Sequence, residues 1–238
     1  MSATVIIPAT GTADLTLAVQ SVLTQDYKDI VCQVVVDGEK FLDETEKKLK
    51  SFKNNEKLKF AFLQNNVGAN GFYGHRIYAA FTHLINTEFV LYLDQDNYFD
   101  SNHVDSCIST IKEKNLDWSY SLRKIINKDG HVVCNDDCES LGKWPVFTGG
   151  NHIDTNSYCV KTSIAIRIAQ AWHGGWGQDR VWFSALNQHF TNYDCTGLYT
   201  VNYKIGGNEG SVKEEFFKNG NKIMNEKYNG EFPWRKKT

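Results

Sequence analysis

Residues 89–96 read Phe89-Val90-Leu91-Tyr92-Leu93-Asp94-Gln95-Asp96. An apolar run closed by an acid fits a buried strand that ends where the chain turns polar. The same design recurs upstream. Ala3 to Pro8 is rich in β-branched residues, Val31 to Val36 is apolar and stops at Asp37-Gly38, and Leu58 to Leu63 stops at Gln64-Asn65-Asn66. Helical patterns separate these runs. Leu15, Val19, Val22 and Leu23 share a face, with Thr12 or Asp14 placed to cap it. Phe41 to Phe52 is charged and amphipathic, and Ile77, Ala80, Phe81 and Leu84 mark the next helix. Four rounds of strand and helix predict a parallel sheet with helices on both faces.

Downstream the pattern changes. A helix after Asn102 carries Val104, Cys107, Ile108 and Ile111. Trp118 to Ile126 and His131 to Cys134 read as strands around the turn Asn127-Lys128-Asp129-Gly130. Residues 135–152 are polar and rich in Asp and Gly. A helix near Ser163 to Ala171, a Gly/Trp loop, a helix from Asp179 to His189 and a strand from Tyr199 to Ile205 follow. The charged tail from Glu214 to Thr238 is helical at first. With no internal repeat and no linker tract, residues 1–238 are expected to form one domain.

Composition narrows the function classes. The chain has 238 residues, 41% hydrophobic and 23% charged, within the globular norm. Its 26 Lys and Arg against 28 Asp and Glu leave a net charge of -2, which gives no bulk attraction to nucleic acid. No apolar run approaches the ~20 residues needed to span a bilayer. Met1-Ser2-Ala3-Thr4 has no basic region before an apolar stretch, so no secretion signal is read. A cytoplasmic protein, soluble or peripheral to a membrane, is expected. Of the six cysteines only Cys134 and Cys138 are close, without a second Cys/His pair at zinc spacing, so free buried thiols are expected. Aromatics at 13% offer stacking surfaces for sugar or base rings.

In open α/β sheets ligands sit at the carboxyl ends of the strands. Those ends deliver Pro8-Ala9-Thr10-Gly11, Asp37-Gly38, Asn65-Asn66-Val67-Gly68 and Asp94-Gln95-Asp96-Asn97. Asp94 and Asp96 can present hard oxygen ligands to Mg²⁺ or Mn²⁺ bridging a diphosphate, or can be ordinary turn acids. Asp37 can accept from a base or ribose, or cap a turn. Gly68, Gly71 and Gly74 permit close backbone approach, while Arg76 can meet a phosphate or pair with an acid. In the second half, Trp172-His173-Gly174-Gly175-Trp176-Gly177-Gln178-Asp179-Arg180 leads into a helix. Asp179 is either a general base facing the cleft or a helix-start acid. The stretch Gly149-Gly150-Asn151-His152-Ile153-Asp154 is a further polar cluster. His152 is open to three roles: metal ligand, acid/base, or satisfied loop histidine. Asp154 holds an acceptor hydroxyl or braces its loop. His75 shows no pairing that assigns it a role.

The ordered set of segments resembles the family 2 glycosyltransferases of the GT-A fold. The resemblance is carried by Val5-Ile6-Ile7-Pro8-Ala9-Thr10, Leu17 to Tyr27, Val34-Val35-Val36-Asp37-Gly38, Asn65-Asn66-Val67-Gly68, Leu93-Asp94-Gln95-Asp96 and Gln178-Asp179. It implies an α/β fold, a Rossmann-like mixed and mostly parallel sheet flanked by helices. The nucleotide-sugar half would fall in residues 1–100, the acceptor half in 101–205 and a helical tail in 206–238. It implies an inverting, metal-dependent transferase for hexosyl or deoxyhexosyl groups. The donor would be a nucleotide-diphosphate sugar, a UDP-sugar first, and the acceptor a hydroxyl of a glycan, lipid-linked sugar or protein. Pro8, Thr10, Asp37, Asn66, Gly68, Arg76, Asp94 and Gln95 would line the nucleotide-sugar pocket. Asp96, with Asp94, would hold Mn²⁺ or Mg²⁺. Asp179 would be the base, and Asp154, Trp176 and Gly177 would meet the acceptor. Four departures stand out: Asp37-Gly38-Glu39 for Asp-Asp-Gly-Ser, Gly74-His75-Arg76-Ile77 for the Ala-Arg-Asn stretch, Gln178 for Glu, and no late His in Tyr203 to Asn208. Asn208 or His152 could fill that last place. Two alternatives are a sugar-nucleotide nucleotidyltransferase, which would need basic residues in the first loop, and a carbohydrate-binding module without activity.

Overall fold

The computed structural model describes residues 2–206 and 212–236. Strand β1 (Ala3–Ala9) is buried along its whole length, because it runs between β2 (Ile30–Val36) and β4 (Phe89–Tyr92), parallel to both. The connection from β1 to β2 is α1 (Leu15–Leu23). From β2 the chain passes through α2 (Leu42–Leu49) to β3 (Leu58–Phe62), then through α3 (His75–Thr82) to β4. The predicted alternation is thus present element by element. Asp14 does stand at the start of α1, but its carboxylate pairs with Lys204 Nζ at 2.6 Å and makes no capping bond.

A two-residue strand β5 (Tyr98–Phe99) precedes α4 (His103–Lys114). β6 (Trp118–Ile126) and β7 (Val132–Asn135) form the expected hairpin. The polar loop leads to β8 (Tyr158–Lys161) and then α5 (Thr162–Ile168). After α6 (Gln178–His189), β9 (Tyr193–Lys204) starts earlier than the sequence suggests, because its first residues pair with Trp118 to Tyr120 of β6. The tail forms α7 (Glu214–Lys227).

The sheet order is β3-β2-β1-β4-β8-β6-β9-β5, with β7 on β6. β8 runs antiparallel to both β4 and β6, so those two share one direction although a reversed strand separates them. The result is a mixed, mostly parallel sheet. Period-two alternation divides each central strand between two cores. Phe89, Leu91 and Leu93 join α1 and α4 on one face, while Val90 and Tyr92 join α3, Trp118, Trp172 and Trp182 on the other. All six cysteines are free thiols. Among the described residues, no helix is long and apolar enough to cross a membrane.

Candidate active site

The end of β4 is tied to the end of β1 by one reciprocal pair. Gln95 Oε1 accepts from Thr10 N, and Gln95 Nε2 donates to Thr10 Oγ1, both at 2.8 Å. This leaves Asp94 and Asp96 on either side of a fixed residue. Continued alternation turns Asp94 toward α3, the side of Tyr92. There it accepts from Tyr78 Oη at 2.8 Å and from Asn156 Nδ2 at 3.1 Å, while its own N–H donates to Asn156 Oδ1 at 2.7 Å. Burial and the nearby Asp154 raise the Asp94 carboxyl. Asp96 is pushed up to about 7 by burial and then by Asp94. No Lys or Arg forms an ion pair with either acid among the described residues.

At the next two strand ends the structure shows support of the loop. Asp37 accepts from Val67 N at 2.7 Å and Gly68 N at 2.9 Å, bracing the turn after β3. A Cβ on Gly68 would stand 2.1 Å from the Tyr73 carbonyl oxygen and 2.5 Å from Asp37 Oδ2, so only glycine fits. Pro8 packs beneath Gly74, where a Cβ would meet its ring at 2.6 Å. Arg76 pairs with no acid among the described residues. Its guanidinium lies 3.3 Å from the Phe72 ring centroid, Nη1 donates to the Val67 carbonyl at 3.3 Å, and Nε is buried without a partner. Asn66 Oδ1 is likewise buried and unpartnered. Asn66 also lines an open cleft of about 520 Å³ with Gly38, Glu39, Lys40, Gln64 and Asn65, which none of Asp94, Asp96 or Asp179 reaches.

Loops from the two halves meet at the rim. A Cβ on Gly175 would stand 2.9 Å from the Gly71 carbonyl oxygen. His75 stacks on Trp172 with ring centroids 5.9 Å apart, and its Nδ1 lies 3.3 Å from the Gly174 carbonyl oxygen. Below, Trp172 stacks on Trp182 at 4.7 Å. Gln178 folds its amide back under this loop to donate to the Ala171 carbonyl, a bond that a carboxylate could not make. That accounts for an amide where the resembling family has Glu. Asp179, at the start of α6, keeps its side chain 22% exposed. Burial, and next Asp154, push its carboxyl up to about 7. Its Oδ1 accepts from Arg180 N at 2.9 Å. Trp176 is 84% exposed at the lip, beside Gly177 at φ +79°.

A buried polar chain joins the two ends of the site. Asn156 Nδ2 donates to Asp154 Oδ1 at 2.8 Å as well as to Asp94. Asp154 Oδ2 accepts from Arg123 Nη1 at 2.6 Å, a contact that braces its loop. Arg123, 2% exposed, also pairs with Asp136 at 2.7 Å and with Glu139. Glu139 faces Arg180 Nη2 at 3.3 Å and His152 Nε2 at 3.6 Å, and His152 Nε2 lies 3.4 Å from Asp179 Oδ2. Sequence reading missed Tyr78, Arg123, Asp136, Glu139 and Asn156. The one available signal was Arg123-Lys124, charges inside a strand that also holds Leu122, Ile125 and Ile126, since a charge buried there requires an acid partner.

His152 is therefore placed against Asp179. Among the described residues, no group of three or more His, Cys, Asp or Glu side chains is gathered as metal ligands. Asn208 lies outside the described residues. Cys138 Sγ hydrogen-bonds to Asp136 Oδ1 at 3.3 Å, an ordinary role for a free thiol.

Residues 4–144 match the model of glycosyl transferase family 2. The chain belongs to this family. A search of curated proteins returns no match. Among solved structures, the family 2 chain is similar to residues 1–349 of Staphylococcus aureus TarS, with a TM-score of 0.67 at 16% identity, covering 86% of this chain and 60% of that one. The complex of TarS 1–349 with UDP-GlcNAc aligns with a TM-score of 0.68 at 17% identity, over 94% and 65% of the two chains. Full TarS aligns with a TM-score of 0.63 at 16% identity, over 99% of this chain and 44% of that one. At such identities the likeness establishes the fold, the GT-A arrangement of a mostly parallel sheet flanked by helices. The chain spans 60% of the length of the first of these structures.

Proposed function

We propose that this family 2 chain is an inverting, metal-dependent glycosyltransferase that moves a sugar from a UDP-sugar to a hydroxyl of a glycan, lipid-linked sugar or protein. One observation carries the reading. Asp179, its carboxyl raised to about 7 by burial, is linked to Asp94 through the polar chain His152, Glu139, Arg123, Asp154 and Asn156. A base and an acidic phosphate-side group belong to one rigid frame.

On this reading Asp179 takes the proton from the acceptor hydroxyl as that oxygen attacks the anomeric carbon in line. The bond from that carbon to the diphosphate breaks, and UDP leaves with the electron pair. The nucleotide side is formed by Pro8, Thr10, Asp37, Asn66, Gly68, Arg76, Asp94 and Gln95. Arg76 Nε and Asn66 Oδ1 are its unpartnered polar atoms. Trp176 and Gly177 form the acceptor lip, with Asp154 behind it as a brace. Asp96 and Asp94 suit a divalent cation, being hard oxygen donors in a partly buried position without a cationic partner among the described residues. Mn²⁺ or Mg²⁺ bound there supplies charge neutralisation to the departing diphosphate. The UDP-GlcNAc and UDP complexes of TarS favour uridine donors as the first to try.

The test is a thermal shift with UDP, GDP and dTDP, each with and without Mn²⁺, followed by nucleotide release from a sugar-nucleotide panel. A ligand at 100 times its Kd stabilises the folded chain by about 2.7 kcal/mol, a readily measured shift. UDP with Mn²⁺ is expected to raise the Tm, and Asp96→Ala to remove the Mn²⁺ contribution. No shift with any nucleotide would refute the reading.

A further inference from the structure

His152 is buried, with 4% of its side chain exposed, on the loop between β7 and β8. Its backbone carbonyl accepts from both Leu141 N at 3.1 Å and Gly142 N at 2.9 Å, which fixes the chain beneath the ring. Its Nε2 edge faces two carboxylates, Asp179 Oδ2 at 3.4 Å and Glu139 Oε1 at 3.6 Å, while Nδ1 is buried without a partner. A buried bare N–H costs more than a buried bare lone pair facing apolar atoms, so this arrangement selects the tautomer with hydrogen on Nε2. Glu139 is itself fixed, gripped by Arg123 and approached by Arg180. The charged groups around the ring are Asp179, Glu139, Asp136, Arg123 and Arg180. Burial, then Arg123 and Arg180, keep the imidazole neutral, with its pKa down to about 3.

We propose that His152 is a positioning residue for Asp179: its Nε2–H, backed by Glu139 and Arg123, orients Asp179 Oδ2 so that the carboxylate presents a fixed oxygen to the acceptor hydroxyl. The proposal rests on the reading of Asp179 as the base. The arrangement also gives His152 work distinct from the phosphate end of the site.

NMR on the full chain tests this without a known acceptor. The ¹⁵N shifts of His152 should report the neutral Nε2–H tautomer, and they should move in Asp179→Asn. The Asp179 side-chain ¹³C signal should titrate about one pH unit higher in His152→Leu, a tenfold rise in proton affinity on losing a donor. His152→Gln, which restores an amide N–H at the same reach, should bring the midpoint back toward wild type. A wild-type His152 with hydrogen on Nδ1 would overturn the proposal, whether or not the variants fold. So would an unchanged Asp179 midpoint in folded His152→Leu, or equal displacement in the Leu and Gln variants. Wild-type transfer by Asp179→Asn would instead overturn the base reading and leave the NMR outcome standing.

Discussion

Asp179 works against the fold that holds it. Its carboxyl is raised from 3.8 to about 7, chiefly by burial. The carboxylate needed to receive a proton is the major form only above that value, so kcat/KM should climb as pH rises through about 7, falling tenfold per pH unit below it. Stability has the opposite sign. A raised carboxyl favours the folded state most below about 3.8, and that contribution is lost as pH rises through about 7. Asp179→Asn should therefore abolish transfer, keep donor binding, and lessen the drop in Tm expected of the wild type between pH 5 and pH 8. At this size each kcal/mol corresponds to roughly 2–4 °C. An Asp179→Asn transfer rate equal to wild type would contradict the role. Asp94 and Asp96 were legible as candidates because they close an apolar run, and Asp179 because it follows a Gly/Trp loop at a helix start and matches the family's acidic pair. Glu139 and Asn156 were not, because what matters about them is a contact made across the fold, and a polar loop gives every polar residue the same appearance.

Gly68 is the clearest case at the level of an element. The turn after β3 closes on itself, with Tyr73 N donating to the Gly68 carbonyl at 2.9 Å and the Tyr73 carbonyl returning to within 2.1 Å of any Cβ placed there. Gly68→Ala must displace Tyr73 or Asp37. It should weaken UDP binding by tenfold or more in calorimetry while leaving the far-UV circular dichroism intact. Unaltered affinity would detach this turn from the nucleotide. The long strands and the helices between them could be read from periodicity. β5 and β8 could not, because two and four residues hold too little alternation to separate a strand from a loop. β8 is nevertheless the strand that pairs with both β4 and β6, so the piece that unites the halves was the one hidden in the sequence.

Across the whole molecule, Arg123 joins what the sequence keeps apart. It pairs with Asp136, Glu139 and Asp154 and lies 4.3 Å from the Tyr203 ring centroid. Removing one partner of a buried ion pair typically costs about 3–5 kcal/mol, because the charges left behind are uncompensated. Arg123→Met should lower the urea midpoint accordingly. A loss below about 1 kcal/mol would mean that water reaches the cluster. The tail is fastened to the same region, since Trp234 Nε1 donates to Asp137 Oδ1 at 2.8 Å and Arg235 pairs with its other oxygen.

The tryptophans give the chain an optical handle. Trp118, Trp172, Trp182 and Trp234 are at most 1% exposed and Trp144 is partly covered, whereas Trp176 is 84% exposed. Iodide should accordingly quench one indole in preference to the rest, the one three positions before Asp179. Trp176→Phe should remove the red-shifted, quenchable part of the emission. Any saccharide that settles over the lip will shield that fluorophore, so candidate acceptors can be ranked by quenching protection before a product has been detected.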